Sequence, residues 1–162
     1  MGLTHVDKDG KAKMVDISGK DVTLREATAT GSVIIKAETL KMIKDNKIKK
    51  GDVLATARTA GIMAAKKTSD LIPLTHPIPI SEVSVDFKFD DDKPSIYIFV
   101  YAKTHSQTGI EMEAITGVVI AAATIYDMIK AVDRTAVITD VCLLKKSGGK
   151  SGKFVREGKH EI

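Results

Sequence analysis

Asp127 and Lys130 stand in the segment TIYDMIK, just after a run from Ala114 to Tyr126 that carries no charged residue. A helix through this region puts the two on neighbouring positions of one face. An aspartate in the last turns of a helix meets the negative end of the macrodipole, which disfavours its ionised form, while an adjacent ammonium favours it. Opposed influences of this kind suit a residue that moves protons. The same pair also reads as an exposed ion pair at a helix end, worth under about 1 kcal/mol. Glu111 and Glu113 open the same helix, where acidic side chains complement the dipole. Glu113 and Asp127 share a helical face but lie fourteen residues apart, roughly 21 Å at the helical rise. One small substrate within a single chain cannot touch both. If both serve one site, that site is shared between subunits.

His76 lies in LIPLTHPIPI, directly before Pro77. The proline drives His76 toward an extended backbone, and the neighbouring prolines stiffen the loop. A rigidly presented imidazole suits acid–base work or phosphate binding; a histidine hydrogen-bonded to backbone fits the pattern equally well. No zinc-ligand spacing links His76 to His5, His105 or His160. KKSGGKSG, at 145–152, resembles a phosphate loop only in part. A Walker A motif needs glycine where Leu144 stands and a helix afterwards. Its amides and lysines remain suited to phosphates, or to a flexible linker. Lys49 and Lys50 precede Gly51 and Asp52 at a helix start, where the turn would position them.

The elements that must hold these residues follow from pattern. Residues Val22 to Ala37, rich in Thr, Val and Ile, predict a strand. Glu38 to Asp45 predicts a short helix, and Asp52 caps a second from Val53 to Lys67. The alanines and Gly61 of that second helix leave a thin face for close backbone approach. Three of the four prolines then exclude helix between Pro73 and Pro79. Alternation predicts strands at Ile80–Phe89 and Ser95–Lys103, joined by a DDDKP turn. A long helix from Glu111 to about Val132, apolar nearly all round, and a strand from Ala136 to Leu144 complete the order. With the first helix split in two, this is βαββαβ, an α+β ferredoxin-like arrangement with helices packed on an antiparallel sheet. Residues 1–21 are expected as an extended or mobile arm, 22–150 as the single domain, and 151–162 as a flexible basic tail.

The chain's 162 residues and 17.4 kDa fit one domain. Aromatics are 4% with no Trp, so Ile, Val, Leu and Ala must fill the core. The net charge is +4, and Lys145, Lys146, Lys150, Lys153, Arg156 and Lys159 crowd the C-terminal end, which points to an anionic partner or a solvated basic tail. Cys142 is the sole cysteine, set in an apolar run, which suggests a small buried thiol. One cysteine holds neither an iron–sulfur cluster nor a thiolate zinc site. No apolar segment reads as a signal peptide or a membrane span, so a cytoplasmic location is expected.

Four stretches carry a wider likeness: MVDISGKDVTLREA, KKGDVLATARTAGIMAAKKTSDLIPLTHPIPIS, TGIEMEAITGVVIAAATIYDMIKAVD and LLKKSGGKSG. In order and spacing, from about Met14 to Phe154, the chain resembles the molybdenum cofactor biosynthesis protein C (MoaC) family. The family often carries cysteine where Thr75 stands; His76 and any backbone contact at 75 are unaffected by that departure. The resemblance implies a cyclic pyranopterin monophosphate synthase, a lyase. Its substrate, 3′,8-cyclo-7,8-dihydro-GTP, is made from GTP by a radical S-adenosylmethionine enzyme, and pyrophosphate is released.

Residue by residue, the resemblance implies Asp127, Lys130 and Lys50 as catalytic. It implies Arg25, Leu74, Thr75, His76, Glu111, Met112, Glu113, Lys146 and Lys150 as substrate-binding. It further implies a homohexamer, a trimer of dimers with the site at the dimer interface. No tightly bound cofactor or metal is implied; Mg2+ travels, if at all, with the substrate triphosphate. No nucleic-acid or membrane partner is expected. Two rival readings share the fold: a nucleic-acid binder, which needs exposed strand aromatics for stacking, and a regulatory nucleotide-binding module, which needs no Asp127.

Overall fold

The computed structural model describes residues 9–158. The first eight residues of the expected arm, and residues 159–162 of the basic tail with Lys159 among them, lie outside the described residues. The elements are β1 (Thr23–Ile34), α1 (Ala37–Lys44), α2 (Val53–Ala65), α3 (Thr68–Leu71), β2 (Glu82–Asp90), β3 (Ser95–Ser106), α4 (Glu111–Ile129), β4 (Val137–Ser147) and β5 (Phe154–Val155). The sheet runs β2-β3-β1-β4-β5 and is antiparallel throughout. Its first four strands have the ferredoxin-like order, as the sequence predicts.

Several boundaries differ from the sequence expectation. β3 and β4 each continue about three residues further, to Ser106 and Ser147. α4 stops at Ile129, where the amides of Val132 and Asp133 both turn back to the Ile129 carbonyl. The turn α3 was not foreseen; four residues are too few to show periodicity. Phe154 and Val155 pair with Lys146 and Lys145, so this part of the tail adds a strand to the sheet. Cys142 is half-buried, because it alternates along β4 with the core residues Val141 and Leu143.

The core lies between the sheet and the helices. Ala27, Ala29 and Val33 of β1, Ile96, Ile98 and Val100 of β3, and Val118, Ala122 and Ile125 of α4 are its centre. α4 meets α2 where two glycines face each other: a Cβ on Gly61 would lie 3.1 Å from the Gly117 carbonyl oxygen. This is the thin face that the alanine-rich segment announces. The side chain of Asp52 accepts from the Ala55 amide at 2.9 Å and caps α2, as expected. By length and composition α4 could cross a membrane, but 56% of its most apolar window is buried within the molecule, so it is a core helix.

Asp133 fastens the far end. It is 1% exposed and accepts from the Lys36 amide (2.8 Å), the Thr39 hydroxyl (3.3 Å), and the Thr135 amide (3.1 Å) and hydroxyl (2.8 Å). It thus caps α1, whose own N-cap residue Lys36 offers no side-chain acceptor. Burial raises its pKa, but these bonds together outweigh burial, and the net shift is downward. A carboxyl depressed on folding contributes stability above its unfolded value of about 3.9, lost as pH falls through the folded value. Asp133→Ala is expected to cost about 2–3 kcal/mol at pH 7 in urea denaturation. The cost should shrink under acid; a constant cost from pH 7 to pH 2 would refute a role for the charge.

Candidate active site

The twelve residues singled out from the sequence fall into three groups. At the C-terminal end of α4, Asp127 holds two ammonium groups. Lys130 Nζ lies 2.7 Å from Oδ1 and Lys50 Nζ 2.7 Å from Oδ2. Lys50 also donates to the Asp127 main-chain carbonyl at 2.7 Å, satisfying one of the helix's terminal acceptors. The packing of α2 on α4 brings Lys50 here across 77 residues of sequence. All three side chains stay about half exposed, at 43%, 54% and 52% for Lys50, Asp127 and Lys130, so a ligand can reach them.

The electrostatics of this group differ from the expectation. Bonds from Lys130 and then Lys50 lower the Asp127 pKa to about 2, and Lys130 is raised in turn, chiefly by Asp127. The helix-end field was expected to oppose the lysine. Two direct ammonium bonds overwhelm it, so Asp127 is a firmly ionised anchor for two cations.

The second group surrounds a cleft of about 260 Å³ at the other end of α4. Leu74, Thr75 and His76 of the proline-rich loop face Glu111, Met112 and Glu113 of the first helical turn across it. Thr75 turns its hydroxyl onto the Ile72 carbonyl at 2.9 Å, so its side chain is spent locally. His76 Nε2 donates to the Val15 carbonyl at 2.8 Å, since a carbonyl only accepts; its other ring nitrogen remains for a ligand.

Sequence reasoning missed that the N-terminal arm helps to build this cleft. Val15, Ile17 and Lys20 line it. Gln107 Nε2 ties the arm down at the Ser18 (3.3 Å) and Lys20 (2.9 Å) carbonyls. The alternation of Val15 and Ile17 in MVDIS was the available signal. Thr108 and Gly109, also in the lining, gave none.

Glu113 is the second surprise. It is 4% exposed, and burial, with a smaller contribution from neighbouring Glu111, raises its pKa to about 7 although its own backbone hydrogen bond pulls the other way. The first-turn position suggested a solvated acid serving the dipole. Only the packing of α4 shows that this position faces inward, so the carboxyl raised toward neutral pH is that of Glu113 and not that of Asp127.

The third group lies where β1 begins and β4 ends. Arg25 Nε donates to the Ser106 carbonyl at 2.9 Å. Lys146 Nζ bonds the Ser151 hydroxyl. Lys150 is exposed in the turn between them. Arg25, Lys146 and Lys150 have no carboxylate partner among the described residues. No trio of His, Cys, Asp or Glu side chains comes together there either, so cations are what these groups offer an anionic ligand.

A carboxyl whose folded pKa is raised gives stability that is complete below its unfolded value, about 4.3, and is lost as pH rises through about 7. Glu113→Gln removes that penalty. The variant is expected to match the parent near pH 4 and to exceed it at pH 8.5 by up to about 2–3 kcal/mol in urea denaturation. An equal difference at both pH values would contradict the buried acid.

The sequence model of the MoaC family matches residues 14–149. Relatives named cyclic pyranopterin monophosphate synthase are similar over nearly the whole chain. The protein of Thermoanaerobacter sp. (strain X514) is 55% identical across 97% of this chain and 99% of its own length. That of Dinoroseobacter shibae is 56% identical across 96% and 99%, and that of Clostridium acetobutylicum 54% identical across 96% and 97%. With a family match over most of its length and relatives this similar from end to end, the chain belongs to the MoaC family.

Proposed function

We propose that this chain is a cyclic pyranopterin monophosphate synthase, a lyase of molybdenum cofactor biosynthesis. It converts 3′,8-cyclo-7,8-dihydro-GTP to cyclic pyranopterin monophosphate and releases pyrophosphate. The observation that carries the reading is the Lys50–Asp127–Lys130 cluster, on a chain 55% identical over 97% of its length to a relative of that name.

The chemistry asks for cations and for one titrating group. To close the cyclic phosphate, a ribose hydroxyl attacks the α-phosphorus, its O–P bond forms, and the bond to pyrophosphate breaks. Positioning and charge stabilisation dominate such a transfer. Lys50 and Lys130, both ion-paired to Asp127, stabilise the negative charge that builds up, while Arg25, Lys146 and Lys150 grip the phosphates. Rebuilding the purine-derived ring moves protons both ways, and Glu113, with a pKa of about 7, is suited to take and return them. Asp127 and Lys130 join that exchange once bound substrate perturbs their pairing. Leu74, Thr75, His76, Glu111 and Met112 line the place for the ring system.

One chain offers this site in halves. The cleft of about 260 Å³ is below the ~300–1,000 Å³ usual for ligand pockets. The Asp127 cluster lies some 21 Å from it along α4. A homohexamer built as a trimer of dimers, with the Asp127 end of one subunit against the Glu113 end of its partner, brings the halves together. The reading needs no tightly bound cofactor; any Mg2+ arrives with the triphosphate. The substrate comes from a radical S-adenosylmethionine cyclase acting on GTP in the cytoplasm, with no membrane or nucleic acid involved.

The test is incubation with the cyclised GTP substrate, then fluorescence of the oxidised pterin. Asp127→Ala and Lys50→Ala are expected to lose product formation while still assembling, and wild-type turnover by either contradicts its role. Mixing Asp127→Ala with Glu113→Gln chains and reassembling them should restore about a quarter of the sites, if each dimer has two sites built from both subunits. A mixture as inactive as its components would place each site within one chain.

A further inference from the structure

Arg25 is paired opposite Thr104 of β3, with its Nε held by the Ser106 carbonyl at 2.9 Å. On its other side β4 runs beside β1 only as far as Ser147, opposite Glu26. There the chain turns through Gly148 and Gly149, at φ of 94° and 69°. Both glycines press on the start of β1, but against different atoms. A Cβ on Gly148 would lie 2.2 Å from the Leu24 carbonyl oxygen, which is backbone. A Cβ on Gly149 would lie 2.0 Å from Arg25 Nη1 and 2.9 Å from its Cζ, the far end of a side chain. Substitution at 148 therefore displaces a strand, whereas substitution at 149 displaces a guanidinium. The Gly152 amide donates to the Gly149 carbonyl at 3.1 Å and closes the turn that carries Lys150 and Ser151. Lys146 bonds Ser151. One turn thus sets Arg25 and two lysines together, and none has a carboxylate partner among the described residues.

We infer that Gly149 is a positioning residue for the polyphosphate portion of the substrate: its missing side chain seats the Arg25 guanidinium against the 149–152 turn, beside Lys146 and Lys150. This rests on the reading that Arg25 grips phosphate. Ser106 fixes one edge of the guanidinium, and the bare glycine leaves room for the other edge to stay where a fork of N–H donors meets phosphate oxygens. A methyl group at 149 rotates Arg25 away and removes a charge-assisted contact without touching the Lys50–Asp127–Lys130 cluster.

Steady-state kinetics on the assembled enzyme, with the cyclised GTP substrate, test this in Gly149→Ala, Gly149→Asn, Arg25→Ala and the Arg25→Ala/Gly149→Ala double variant. Gly149→Ala is expected to raise KM about tenfold and leave kcat within about twofold, the size of one charge-assisted hydrogen bond. Gly149→Asn should do the same, since asparagine tolerates positive φ but carries the obstructing Cβ. In the Arg25→Ala background the alanine at 149 should add nothing, because the group it displaces is gone. Binding of inorganic pyrophosphate, measured by calorimetry, should follow the same pattern. Wild-type KM in Gly149→Ala, rescue by Gly149→Asn, additive losses in the double variant, or loss of the folded circular dichroism in Gly149→Ala would each overturn the inference. An Arg25→Ala enzyme with unchanged KM and pyrophosphate binding would instead overturn the reading of Arg25 beneath it.

Discussion

The close crossing of α2 and α4 is the contact from which the rest of the site follows. Gly61 and Gly117 let the two backbones approach to van der Waals distance, and the sheet covers α4 on its other side. Most of the helix is covered in this way, and the flank that stays open in its middle, at Val119 and Ala123, is itself uncharged. Chemistry is confined to its two ends, and the crossing decides what meets them. It carries Lys50, from the approach to α2, onto Asp127. The proline-rich loop that follows α2 and α3 is laid against the first turn of α4.

The two ends then behave oppositely, for a reason of solvation. Asp127 is half exposed between two ammonium groups, so its charge is favoured by both, which outweighs its partial desolvation. Glu113 sits at the end of the dipole that favours a negative charge, yet it is buried beside another carboxylate and is pushed toward the neutral form. Position along the helix is outweighed at both ends, by burial at Glu113 and by the two ammonium groups at Asp127. Within one chain, the ion-paired charges and the titrating group are thus kept apart by the length of α4.

A second constraint operates at the opposite edge. β4 outlasts its expected end by three residues, and β5 pairs back onto it, so the glycine turn is clamped between two strands. A turn that would otherwise wander is pressed onto the first residues of β1. The basic residues of this end are therefore ordered by main-chain pairing, with no carboxylate needed to hold them. Among the described residues Arg25, Lys146 and Lys150 are thus left without a carboxylate partner, a charge that an anionic ligand would relieve.

Much of this was legible in the chain alone, where the physics is local. The alternation of Val83, Val85, Phe87 and Phe89, the Asp52 cap, the glycine in an alanine-rich helix and the uncharged run of α4 each act through near neighbours, and each gave its element correctly. The family likeness rests on longer strings, and it points to residues for which no local rule suggests a role. Only tertiary structure could decide the direction of the two pKa shifts, because burial depends on what packs against a position. At Asp127 the dipole gives way first to Lys130, three residues on and already in view, and then to Lys50, which lies 77 residues away and which no local rule brings there. The arm at Val15 and Ile17, the capping of α1 by Asp133, and the seating of Arg25 against Gly149 are likewise contacts between distant segments. Sequence determines which groups are available and how they repeat; the fold decides which of them meet, and how much water is left between them.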